Sequence, residues 1–148
     1  MFMGLLALVA TSGLYLQPAG AVEDGRQLVR LPPMMQEHML GNMRDHLAAL
    51  DDMLGALAEG KISKASEIAE KRLGMSSLSE HGAAHLGKFM PEGMKAIGAG
   101  LHHAASRFVI IAGNAELDPG LASQRKVYRA LQAITEKCNA CHQSYRIR

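Results

Sequence analysis

Apolar residues recur at intervals of three and four over most of the chain. From Pro32-Pro33 to Glu59 the apolar positions Met35, Met39, Met43, Leu47, Leu50, Leu54 and Leu57 form a single stripe, the mark of an amphipathic helix. The two prolines suit its start, because proline in the first turn loses no hydrogen bond the helix needs. Gly60 ends it. A second helix is predicted over Ile62 to Leu73, with Ile62, Ala65, Ile68 and Ala69 inward and Gly74 closing it. A third runs from Pro91 to about Ala112 on Met94, Ile97, Leu101, Ala104, Phe108 and Ile111. Gly113-Asn114 through Asp118-Pro119-Gly120 reads as a turn. The fourth helix takes the remainder, with Val127, Leu131, Ile134, Cys138, Cys141 and Tyr145 inward.

Two stretches fall outside this pattern. Val22 to Leu31 is polar and aperiodic, a lead-in. Met75 to Pro91 is broken by Ser76-Ser77, Gly82 and Gly87 and reads as a loop with a turn or two of helix. Four helices with short connections predict an all-α fold, an antiparallel up-down-up-down four-helix bundle.

Composition narrows the picture. A chain of 148 residues, 48% hydrophobic, is long enough for one domain with a real core. It has no Trp and only three Phe and three Tyr against ten Met, so aliphatic side chains do the packing. A net charge of +2, scattered along the chain, argues against a nucleic-acid partner. Residues 1–21 read as a signal peptide, with Leu5 to Ala10 beginning the apolar run and Ala19-Gly20-Ala21 offering a small-x-small cleavage site. No Lys or Arg precedes that run. The competing reading, a membrane anchor, needs a longer stretch than one interrupted at Gly13 and Pro18. The expected mature domain is therefore 22–148, exported and not inserted in a membrane.

The chemistry lies in Cys138-Asn139-Ala140-Cys141-His142, a C-x-x-C-H motif that contains both cysteines of the chain. A bare C-x-x-C also fits a redox dithiol or half a zinc site. The appended histidine selects attachment of a c-type haem. Two thiols on one helical turn can add across the two vinyl groups of one porphyrin, and His142 then lies under the iron as an axial imidazole.

This motif near the C-terminus, followed by Tyr145-Arg146, resembles the class II c-type cytochromes, the cytochrome c prime family. The resemblance implies a four-helix bundle holding one covalent haem c, located in the bacterial periplasm. It implies Arg146 at a haem propionate, with a solvated arginine as the plainer alternative. Pairing into homodimers through the first two helices is common in that family. Its low-spin members carry Met opposite the histidine, and its high-spin members a non-coordinating residue. An Arg that typically precedes this position is absent here, where Met35 and Gln36 stand.

The sixth ligand can also be sought by level. In the expected topology the first and fourth helices are antiparallel. His142 lies about 22 residues into the fourth, roughly 33 Å at 1.5 Å per residue. The same distance back from Glu59 reaches Glu37. Met39 is the thioether on the stripe nearest that level, with Met35 and Met43 a turn to either side and His38 just off the stripe. These methionines could equally fill core space, since Met is an adaptable packer. His46, His81, His85 and His102-His103 have no carboxylate or further cysteine placed to complete a tetrahedral site, and read as solvent-exposed or core-edge histidines, with His46, beside Leu47, left structural. Asp45, Asp51 and Asp52 read as a solvated face. Lacking a nucleophile–base pair or a phosphate loop, the chain is not read as an enzyme. The expected function is a periplasmic electron carrier with protein redox partners. A five-coordinate protein binding NO or CO is the alternative, and a thiol–disulfide protein a third.

Overall fold

The computed structural model describes residues 24–148, so the signal-peptide reading of residues 1–21 lies outside the described residues. Over the described residues the fold is all-α in class: 78% helical, with five α-helices packed against one another. In chain order they are α1 (Pro33–Ala58), α2 (Ile62–Leu73), the short α3 (Ala83–Leu86), α4 (Glu92–Leu117) and α5 (Leu121–Ser144). α1 packs along α2, α2 along α4, and α4 along α5. Among the described residues no helix is long and apolar enough to cross a membrane.

The ends of α1 follow from local chemistry. Pro33 opens it at a position that needs no N–H. At the other end Gly60 adopts φ +73°, which lets Lys61 N–H donate to Ala56 O at 2.8 Å and Gly60 N–H to Leu57 O at 3.1 Å. This pair of bonds is the Schellman closure that a left-handed glycine makes cheap. Between these ends the buried face differs from the predicted stripe. His46, Ala49, Met53 and Ala56 are buried, whereas Leu47 is 70% exposed and Leu54 51% exposed. Three steps of four residues overrun the 3.6-residue turn, so the inward position after Met43 falls on His46, not Leu47. The opposite face is not merely solvated. Arg72 of α2 spans Asp45 and Asp52, its two terminal nitrogens each 2.6 Å from a carboxylate oxygen, and ties α2 to α1.

Two boundaries also move. α4 continues through Gly113-Asn114 to Leu117, because Ala112 and Ala115 are buried against the core, and the turn shrinks to Asp118–Gly120. Ser63, at the start of α2, anchors this extension by donating its N–H and hydroxyl to the Glu116 carboxylate. α5 stops at Ser144, so Tyr145 is not a helix position. Residues Tyr145–Ile147 form a strand, β2, which pairs in parallel with β1 (Gln27–Val29) from the aperiodic lead-in. Two further bonds, Arg148 N–H to Val29 O and Leu31 N–H to Arg148 O, both 3.1 Å, extend the ribbon. The segment between α2 and α4 holds α3 and two short 3₁₀ turns, as its broken pattern implied.

The interior divides in two. One cluster, built from Ala49, Met53, Leu73, Ala105, Phe108, Ile134 and their neighbours, runs through α1, α2, α4 and α5. A second, at the β1–β2 end, gathers Val29, Leu31, Met39, Leu86 and Met94, with Met35, Met43, Met90, Cys141, Tyr145 and Ile147 half-buried around it.

Candidate haem site

The motif occupies the last two turns of α5. Both cysteines are free and half-buried, one turn apart on the face α5 turns inward. Cys138 lies against the first cluster, with its sulfur 3.7 Å from Ile134 O, and Cys141 lies in the second. Burial pushes both thiols up from their ordinary range, and the neighbouring Cys138 raises Cys141 further. They are thiols at neutral pH, poor candidates for the low-pKa thiolate of a redox dithiol. His142 is exposed at the end of the helix. Its carbonyl accepts from Arg26 Nη1 at 3.3 Å, a cation placed where the negative end of the helix dipole favours one.

Of the side chains considered for the sixth position, three gather with Cys141. Met39 is buried at 6% exposure, and Met35 and Met43 pack beside it in the second cluster. Met90 and Met94 join them from the far side, two methionines the level count did not reach. His38 goes elsewhere. Its ring lies on Gly82, so close that a Cβ there would meet Cε1 at 2.6 Å, and Gly82 at φ +62° is the turn residue that makes room. Arg146 sits in β2 rather than on a helix. Its Nε is buried, lies 3.5 Å from Asp24 Oδ2 and has no hydrogen-bond partner. Asp24 is engaged principally by Arg26, at 2.7 Å, which with Arg146 nearby holds the carboxyl at about 2. Tyr145 reaches across to α4, its hydroxyl lying over Gly93 where a Cβ would come within 2.5 Å.

A set of residues that spacing could not group lies away from the motif. His46 of α1, His81 of the connecting segment and His102 of α4 stack within 6.0 Å of one another, centroid to centroid. His102 Nδ1 bonds Leu73 O at 2.8 Å and Ser77 lies between the rings of His81 and His102. Burial, then the neighbouring His81 and His102, holds His46 down at about 4, and burial lowers His81 too. His46 and His81 are therefore neutral packing groups at neutral pH. Among the described residues no three His, Cys, Asp or Glu side chains are placed to hold a metal ion.

No protein-family model, curated protein or solved structure matches this chain.

The side chains present nonetheless suit a covalent haem. Two neutral thiols lie one turn apart, an exposed imidazole follows them, and a yielding cluster of methionines and small apolar groups stands behind Cys141. The orphaned Nε of Arg146 is a donor still in want of an acceptor, which a carboxylate such as a propionate would supply.

Proposed function

We propose that the chain is an exported, periplasmic monohaem cytochrome of the class II type, an electron carrier built as an antiparallel four-helix bundle. α1, α2, α4 and α5 are the four helices. Haem c would be held by thioether bonds to Cys138 and Cys141, with His142 and Met39 binding its iron and Arg146 pairing with a propionate. The observation that carries the proposal is the C-x-x-C-H motif on the inward face of α5, ending in the same apolar cluster as Met35, Met39 and Met43.

When bound, the haem supplies a one-electron couple, and a thioether ligand raises its potential relative to bis-histidine ligation. The protein's part is to fix that group. The cysteines would anchor it, His142 would offer it an imidazole, and the methionine cluster would keep water from it. Half-exposure of the motif leaves an edge from which a partner can draw an electron across a small, transient interface. Purification followed by a pyridine haemochrome assay and visible spectra of the ferric and ferrous states tests the proposal. The expected result is one covalent haem, low-spin, with the weak near-infrared sulfur-to-iron band. Colourless, folded protein would refute a cytochrome. A high-spin spectrum with rapid CO or NO binding would replace the electron carrier with a gas-binding protein.

A further inference from the structure

Cations are distributed unevenly over the surface. Arg26, Arg44, Lys61, Lys64, Lys71, Arg72, Lys95 and Arg146 each have a carboxylate partner. Arg107 on α4 and Arg125, Lys126, Arg129 and Lys137 on α5 have none among the described residues, and outside these two helices neither do Arg30, Lys88 and Arg148. α5 carries those four cations against one carboxylate, Glu136. Five of the eight cations without a carboxylate partner among the described residues thus lie on α4 and α5.

That face has a shape to match. A groove of about 460 Å³ runs between α4 and α5, rimmed by His103, Arg107, Lys126 and Arg129. Its floor is shallow because the facing positions are small: Gly100 and Ala104 on α4, Ala130 and Ala133 on α5. Lys137 closes the end nearest the motif, its stem 3.4 Å from where a Gly100 Cβ would stand. From Gly100 to Ile111 the floor spans about 16 Å along α4, by the rise of an α-helix. Such an open trough with spaced cations suits several carboxylates carried on a surface better than one compact anion. Exposed Ile110 lies one turn from Arg107 on α4 and adds apolar area at the rim, a composition common at protein interfaces.

We propose that the α4–α5 groove docks an acidic protein, which lays a carboxylate-bearing surface between Arg107, Lys126 and Arg129 and comes to rest beside Lys137 and Cys138. That this protein is the redox partner rests on the electron-carrier proposal. The docking itself rests on charge and shape alone. Long-range attraction would speed the encounter and fade as salt screens it.

Two experiments on the purified full chain separate these claims. In the first, a hexaglutamate peptide is titrated while backbone amide shifts are followed. Shifts should be confined to the α4–α5 groove, and affinity should fall about tenfold between low and physiological salt. Arg107→Glu with Lys126→Glu and Arg129→Glu should abolish binding, whereas Lys64→Glu with Lys71→Glu on α2 should not change it. Circular dichroism checks the fold, and Arg107→Gln with Lys126→Gln, expected to weaken binding severalfold, serves if the reversal misfolds. In the second, electron exchange with anionic hexacyanoferrate should slow about tenfold in the reversed variant, and exchange with cationic hexaammineruthenium should not. Wild-type affinity in the reversed variant, shifts on another face, or equal affinity for a DNA oligonucleotide would each overturn the docking proposal. Protein without haem would remove the redox role and leave the peptide result to decide the groove.

Discussion

The two apolar clusters solve the same problem with different materials. In the first, Ala49, Met53, Ala65, Ala69, Ala105, Phe108, Ala112 and Ile134 show no exposure at all, and small residues let the helices approach closely. In the second no member is fully enclosed, methionines from α1, α4 and the segment before α4 dominate, and Cys141, Tyr145 and Ile147 are only half-covered. A core of many alanines, with Phe108 and branched aliphatics between them, leaves each side chain one place to sit. A core of methionines accommodates whatever is put against it. The contrast teaches that this fold is self-sufficient at one end, while the other is suited to receive a group.

Removing the anchors of that group should have the largest effect. Cys138→Ala with Cys141→Ala is expected to give colourless protein destabilised by several kcal/mol, since a lost prosthetic group takes its binding energy and leaves apolar surface uncovered. Limited proteolysis should cut first at the β1–β2 end. A double variant that melts as the wild type does would show that the second cluster needs no guest. Phe108→Ala strikes the other cluster. Its expected cost is about 3–5 kcal/mol by urea unfolding, with the visible spectrum of the folded fraction unchanged. A spectral change would mean that the two ends are not separate.

Acid should act between them, at the imidazoles. His46 is held at about 4 in the folded protein against an ordinary 6.5, so the unfolded chain binds its proton first as pH falls. Stability should therefore be full above pH 6.5 and decline between 6.5 and about 4, by on the order of 3 kcal/mol, with His81 adding in the same direction. Urea midpoints across this range measure it, and His46→Gln should flatten most of the slope. An unchanged slope would place the acid sensitivity elsewhere. The smallest effect on stability is expected at Met39→Leu, under about 1.5 kcal/mol for a volume-conserving swap. Yet this variant should lose the near-infrared band and lower the potential, which Met35→Leu and Met43→Leu should not do. Loss of the band in Met43→Leu alone would move the ligand one turn along α1.

Legibility in the sequence followed the range of the interaction. C-x-x-C-H depends only on spacing within one turn, and α2 could be bounded at Ile62 and Leu73 because glycine punctuates both ends. The phase of α1 slipped at Leu47 because the choice between positions 46 and 47 is made by partners far away, His81 and His102. A histidine on an inward face carries no hydrophobic signal. For the same reason the three imidazoles and the Arg72 bridge to Asp45 and Asp52 could not be grouped before the elements were in place. Strands of three residues are too short to show alternation, so β1 was hidden in the lead-in and β2 in an apparent last helical turn.

The β1–β2 pairing sets an order of events. It joins the beginning of the described chain to its end, so nearly all the described residues lie in the loop it closes. Such a loop is costly to close in an open chain and cheap once the helices between have packed, which makes the ribbon the last piece to form. What forms last on so few hydrogen bonds also opens first. In native-state hydrogen exchange the amides of the paired strands should open at a fraction of the global free energy, while those near Phe108 wait for complete unfolding. Each opening lifts Val29 and Ile147 from the methionines beneath and gives the Cys141 end brief access to solvent without loosening the alanine core. A large planar guest could therefore enter or be fitted late, into a molecule already mostly folded.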